Sequence, residues 1–119
     1  MTAASFTMRF WGVRGTVPCP EASRLRYGGN TACIEVCCGP NRLIFDAGTG
    51  LRGLGKAIVK NARHDRAHLF FTHTHLDHIS GLPFFTPAYD ASNHFEFWAG
   101  HLRPHGLGLQ QVLQQLMQP

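Results

Sequence analysis

The run Leu69-Phe70-Phe71 followed directly by Thr72-His73-Thr74-His75-Leu76-Asp77-His78 constrains this chain more than any other stretch. The apolar triplet has β character and reads as the end of a buried strand. Four side chains able to hold a metal follow it within six positions. A buried strand must leave the core before it can carry such groups, so the cluster belongs where the strand runs out into a loop. On an extended backbone, period-2 alternation sends His73, His75 and Asp77 to the same side. His78 follows as the chain turns, so one short segment can offer ligands to two adjacent ions. Neutral imidazole and carboxylate suit zinc and other borderline divalent metals. A lone histidine is usually a surface or core residue, but this spacing at the end of an apolar strand points to metal binding.

The rest of the composition sets the frame for that cluster. A chain of 119 residues is enough for one domain, 1–119, and too short for two of ordinary size. With 44% hydrophobic and 15% charged residues it is globular rather than disordered. No apolar stretch approaches the ~20 residues of a membrane span. The opening Met1-Thr2-Ala3-Ala4-Ser5 lacks the basic segment and apolar run of a secretory signal. Cys19, Cys33, Cys37 and Cys38 form no C-x-x-C pair and are expected to be small buried hydrophobes in a reducing cytoplasm. The net charge is +4, and nine of the eleven basic residues are arginine, whose planar fork suits phosphate. Arg52, Lys56, Lys60 and Arg63 are expected to wet a helix surface. Arg14, Arg24 and Arg26 lie in a long loop that can border the site. A basic balance fits an anionic substrate.

Periodicity orders the remaining segments. Phe6 to Val13 reads as a first strand, and Gly12 to Asn30 as a long loop of the kind that often carries function. Thr31 to Cys38 and Arg42 to Asp46 read as strands around the turn Gly39-Pro40-Asn41. Leu51, Leu54, Ile58 and Ala62 recur at helical spacing, which predicts a helix over 51–62 behind the glycine-rich Asp46-Ala47-Gly48-Thr49-Gly50. Ser80-Gly81-Leu82-Pro83 suggests a short helix or turn packed on the site. His94 to Trp98 reads as a strand, Gly100 to Gly108 as a loop, and Leu109, Val112, Leu113, Leu116 and Met117 as a core-facing helical stripe. Strands alternate with helices, which predicts a layered α/β arrangement.

These segments together resemble a known family. Thr72 to His78, with Ile79-Ser80-Gly81-Leu82-Pro83, resembles the H-x-H-x-D-H signature of the metallo-β-lactamase superfamily. Phe45-Asp46-Ala47-Gly48-Thr49-Gly50 resembles that superfamily's strand-end aspartate and glycine turn. Phe10-Trp11-Gly12-Val13-Arg14-Gly15-Thr16 and Tyr27-Gly28-Gly29-Asn30-Thr31 resemble its phosphodiester-cleaving branch, which includes tRNA 3′-processing nucleases and cyclic-nucleotide phosphodiesterases. The resemblance implies the first half of a four-layer αβ/βα sandwich. It implies that His73 and His75 hold one metal, that Asp77 and His78 hold a second, and that Asp46 orients the loop presenting the histidines. It further implies two zinc ions, with manganese or iron as alternatives, about 3.5–4 Å apart and activating a water for hydrolysis. Asp77 would also steer that water and shuttle its proton. Arg14 and Asn30 would contact the substrate, a phosphodiester such as a nucleotide or RNA.

The chain departs from the family pattern downstream. The family draws a further histidine, a bridging aspartate and a final histidine from its second half, and this chain ends at Pro119, 41 residues after His78 (119 minus 78). His94, His101 and His105 do not fall where those ligands fall and are expected to be surface histidines. The chain therefore looks like a truncated domain whose sheet would be left with an open face, which favours a homo-oligomer or pairing with a second half. The main alternative to a hydrolase is a non-catalytic metal-binding or interaction module that retains half of the fold. Nucleic-acid binding without catalysis ranks lower, because no basic run is interleaved with aromatics.

Overall fold

Five strands form one mixed sheet in the order β1-β2-β3-β4-β5 in the computed structural model, which describes residues 5–61, 64–106 and 108–118. Ala62, Arg63 and the side chain of His105 lie outside the described residues. β1 (Phe6–Gly12) pairs antiparallel with β2 (Cys33–Cys38), and β2 antiparallel with β3 (Asn41–Phe45), the last pair joined by a tight turn at Gly39-Pro40. β4 (Arg66–Phe70) is parallel to β3, and β5 (His94–Trp98) is parallel to β4. Parallel neighbours need a crossover. α1 (Gly50–Lys60) supplies the first crossover, and the segment holding α2 (Leu76–Ile79) and two short 3₁₀ turns supplies the second. α3 (Leu109–Met117) follows β5.

The core lies on one face of the sheet. Leu51, Leu54 and Ile58 fall three and four positions apart on α1 and are buried against Ile44, Ala67, Leu69 and Phe71. Phe85, from the turns after α2, is fully buried and meets the ring of Phe95 edge-on at 5.0 Å. Each such apolar side chain contributes about 1.5–3 kcal/mol on burial.

The opposite face is open. Strand register aligns Phe10, Ile34, Phe45, Phe70 and Trp98 across all five strands. Phe45 and Phe70 stack at 5.4 Å, and Phe70 and Trp98 at 6.3 Å. At the β1 end Phe6, Met8 and Phe10 remain 65%, 54% and 58% exposed. Soluble monomers rarely expose a contiguous apolar surface of this kind.

Several boundaries differ from the sequence reading. β3 stops at Phe45, where Asp46 takes a left-handed φ of 65° and turns the chain out of the extended conformation. β2 begins at Cys33, while Thr31 makes only an isolated bridge with Arg14. α1 starts one residue before Leu51. Of the cysteines only Cys33 is buried; Cys38 is exposed at the open end of β2, and Cys19 and Cys37 are half-buried. Burial of all four was therefore the wrong expectation. Leu109, Leu113 and Leu116 of α3 do face the core, yet no residue of α3 is fully buried. Among the described residues, no helix is long and apolar enough to cross a membrane.

Candidate metal centre

The site forms where β3 and β4 run out together. Asp46 N–H donates to the carbonyl of Phe70 at 2.8 Å, which sets its side chain beside the residues that leave β4. Its carboxylate then accepts the amide of Thr72 at 2.9 Å. Aspartate tolerates the left-handed region better than most residues, and a strained conformation of this kind clusters at functional sites.

Beyond Thr72 the backbone does not stay extended. His75, at φ −62° and ψ 151°, leads into α2, and His78 N–H bonds the carbonyl of His75 at 2.9 Å. Asp77 and His78 are therefore neighbours on a helical turn, not alternating positions of a strand, and the extended placement of Asp77 is corrected. The turn is strapped to the residues after β3. Ala47 N–H donates to the His78 carbonyl and Gly81 N–H to the Ala47 carbonyl, both at 2.8 Å. The approach is so close that a Cβ on Gly48 would stand 2.5 Å from the Asp77 carbonyl oxygen, and one on Gly81 would stand 1.9 Å from that of Gly48. Only glycine fits at either position.

The fold-back brings ligand atoms of His73, Asp77 and His78 within 4.8 Å of one another. The rings of His73 and His78 lie 4.0 Å apart between centroids. His75 sits edge-on to His73 at 4.6 Å but stands outside that three-atom set. Three of the four cluster residues therefore converge, and the fourth flanks them.

Hydrogen bonding prepares the imidazoles as ligands. The Thr72 hydroxyl lies 2.9 Å from Asp46 Oδ2 and 2.9 Å from His73 Nδ1. A carboxylate only accepts, so the hydroxyl proton goes to Asp46 and His73 Nδ1 must donate to Thr72. That leaves the Nε2 lone pair of His73 for a cation. His78 Nδ1 stands 3.0 Å from Asp46 Oδ2, and His78 Nε2 stands 3.3 Å from Asp77 Oδ2. The first contact is short but poorly aligned, so the buried His78 Nδ1 gains electrostatic attraction without a well-formed hydrogen bond.

The donor set fits a divalent cation. Two imidazoles and a carboxylate converge, two carboxylates flank the His78 ring, and three protein ligands plus water suffice for a catalytic zinc. Partial burial, then the neighbouring His78 and His75, pushes the His73 pKa below its ordinary value, which favours the neutral form that binds metal. Asp77 is held below the usual carboxylate range, first by the backbone amide of Thr16 and, against the opposing effect of burial, by His78. Burial, then Glu35 and Asp46, pushes the Cys33 thiol up to about 12, so it stays protonated at neutral pH and is no thiolate ligand.

Arg14 and Asn30 lie at the mouth of the long loop. The Asn30 carbonyl accepts the amides of Val13 and Arg14 at 3.1 and 3.0 Å, while its side-chain oxygen accepts from Thr49 Oγ1 at 3.1 Å. Arg14 is half-buried, and its Nε is buried with no partner among the described residues. Arg26 turns instead onto the Tyr27 ring at 5.3 Å.

Two contacts were not legible in the sequence. Thr16 N–H donates to Asp77 Oδ2 at 2.9 Å across 61 residues, and no motif or spacing announces so distant a pairing. His101, expected on the surface, is half-buried with Nε2 3.3 Å from the Thr74 hydroxyl, on the ligand-bearing loop. His94 is exposed, as expected.

No family model matches the chain, and no curated protein does. Among solved structures the chain is similar to a protein from Thermotoga maritima provisionally described as a metallo-beta-lactamase. The match has 15% identity and a TM-score of 0.48, and covers 94% of this chain and 54% of the other. The chain thus spans about half the length of that protein.

Proposed function

We propose that this chain carries the metal-binding half of a metal-dependent hydrolase acting on phosphodiesters. The observation that carries the reading is the convergence of His73, Asp77 and His78 within 4.8 Å, their rings oriented through Asp46 and Thr72. His73, Asp77 and His78 hold the cation, with zinc, manganese and iron all suited to two imidazoles and a carboxylate, and His75 stands beside them as a further ligand. A bound divalent ion supplies Lewis acidity and a water acidified enough to attack at neutral pH.

The chain's own residues do the rest. Asp46 keeps the imidazoles turned toward the cation. Asp77, anionic at neutral pH, accepts the proton of the attacking water on its carboxylate. Arg14, with a buried and unpartnered Nε, offers a guanidinium to a phosphate oxygen, and Asn30 braces the backbone that carries it. The open face bearing Phe10, Phe45, Phe70 and Trp98 receives a second sheet, either from a second half that completes a four-layer sandwich or from another copy.

Two measurements test this. Zinc titration of the chain should show saturable uptake that is lost in His73→Ala. A longer polypeptide bearing the downstream sequence should hydrolyse bis(p-nitrophenyl) phosphate with zinc or manganese, and His75→Ala should abolish turnover. Zinc uptake without turnover in the longer protein would convert the reading to a non-catalytic metal-binding module. Failure to bind any divalent metal would end both.

A further inference from the structure

Among the described residues only Thr16 and Asp46 lack a glycine's freedom yet hold positive φ, at 72° and 65°. Asp46 is explained by the contacts of its carboxylate. Thr16 is harder to explain, since a β-branched side chain is the least suited to left-handed backbone. Val17 N–H donates to the Gly15 carbonyl at 2.8 Å, closing a γ-turn on Thr16 in its rare, strained, positive-φ form. The Thr16 side chain is exposed, so its own packing does not hold the residue there.

The loop on either side is anchored. Val13 and Arg14 amides reach the Asn30 carbonyl, and Cys19 N–H reaches the Gly29 carbonyl at 2.9 Å. Thr31 is tied in turn to Thr49 at the head of α1, its amide donating to Thr49 Oγ1 at 2.9 Å and its hydroxyl accepting from Thr49 N–H at 2.8 Å. A strained conformation persists where its surroundings over-determine it. What the strain achieves here is direction, because the Thr16 amide points at Asp77 Oδ2, 2.9 Å away.

We infer that Thr16 is a positioning residue for Asp77, its strained backbone amide pinning Oδ2 so that the carboxylate faces the point where His73 and His78 converge. Both named contacts of the carboxylate, from Thr16 and from His78, fall on that one oxygen. The long loop between β1 and β2 is thereby part of the metal centre, acting through a main-chain group that any residue but proline could supply. The inference rests on the metal-site reading and specifies how one of its ligands is held.

The test is a zinc-binding cycle on the full chain, by calorimetry, with Thr16→Pro, Asp77→Ala and the double variant. Loss of a partner that orients a ligand typically weakens metal binding ~10–100-fold. Thr16→Pro should show that loss when Asp77 is present and no further loss in the Asp77→Ala background. Equal losses in both backgrounds, or no loss in the first, would overturn the inference, since a loop that merely stabilises the fold acts regardless of Asp77. A second measurement needs neither metal nor proline. The Thr16 amide should exchange with deuterated solvent at least about tenfold faster in Asp77→Ala than in the metal-free parent, as a lost acceptor requires. Equal exchange rates would overturn the inference. A parent chain that takes up no zinc yet shows the exchange difference would remove the metal-site reading and leave the Thr16–Asp77 contact standing.

Discussion

Asp46 Oδ2 lies 3.0 Å from Nδ1 of His78, and the same carboxylate accepts the amide and hydroxyl of Thr72. One side chain at the end of β3 therefore orients two histidines that arrive from beyond β4. Asp46→Ala should cost about 1–3 kcal/mol in urea unfolding, because it strands the Thr72 amide and removes the carboxylate that attracts His78 Nδ1. Asp46→Asn should fold more nearly as the parent does and bind zinc ~10–100-fold more weakly. Parental zinc affinity in the Asp46→Asn variant would remove Asp46 from the centre.

Gly48 and Gly81 are predicted to be intolerant of any side chain. A Cβ on Gly48 would press the Asp77 carbonyl oxygen and Thr31 Oγ1 at 2.5 Å, and one on Gly81 would overlap the Gly48 carbonyl oxygen at 1.9 Å. Either alanine substitution should cost about 1–3 kcal/mol or more, as overpacking does. The same variants should weaken zinc uptake, because the strain falls on the backbone that carries Asp77. Unfolding midpoints within error of the parent would refute the close packing.

The Cys33 thiol, raised by burial from an ordinary value of 9.0 to about 12, gives a pH dependence of defined sign. Above pH 9 the unfolded chain releases this proton while the folded chain keeps it. The unfolded state then binds fewer protons, so stability falls as pH rises from 9 toward 12. Cys33→Ser or Cys33→Ala should flatten that limb of the stability curve. Iodoacetamide at pH 8 should label exposed Cys38 and spare Cys33 in the native state, as peptide mapping would show.

The open sheet face predicts concentration-dependent association. Phe6, Met8 and Phe10 stand exposed on β1, on the same sheet face as the aromatic row of β3 to β5, with Phe10 in register with that row. Sedimentation velocity of this chain should show species larger than a monomer, and Met8→Lys with Phe10→Glu should shift the distribution toward monomer. A purely monomeric parent at high concentration would argue against a second copy on this face.

Much of the arrangement was legible in residue order because it depends on local periodicity. Leu51, Leu54 and Ile58 announced α1, the alternation of Phe95 and Phe97 announced β5, and the apolar run ending at Phe71 announced the strand that delivers the histidines. The identity of the metal-capable residues came the same way, since His73, Asp77 and His78 are close in sequence.

What periodicity could not supply was the path of the backbone between them. The extended reading of residues 73–77 failed because α2 is set by contacts from outside the segment. Those contacts are Ala47 bonding the His78 carbonyl, Gly81 bonding Ala47, and Gly48 against Asp77. Sequence alone determined which side chains this chain can offer a cation and on which strand they leave the core, because hydrophobic patterning acts over a few residues. The tertiary structure alone decided that three of them meet, that the Thr16 amide reaches Asp77 and that His101 backs the loop, whereas the part of Asp46 was already implied by the family resemblance. Those outcomes depend on hydrogen bonds and close packing between segments far apart in the chain, and nothing in local order encodes such distances.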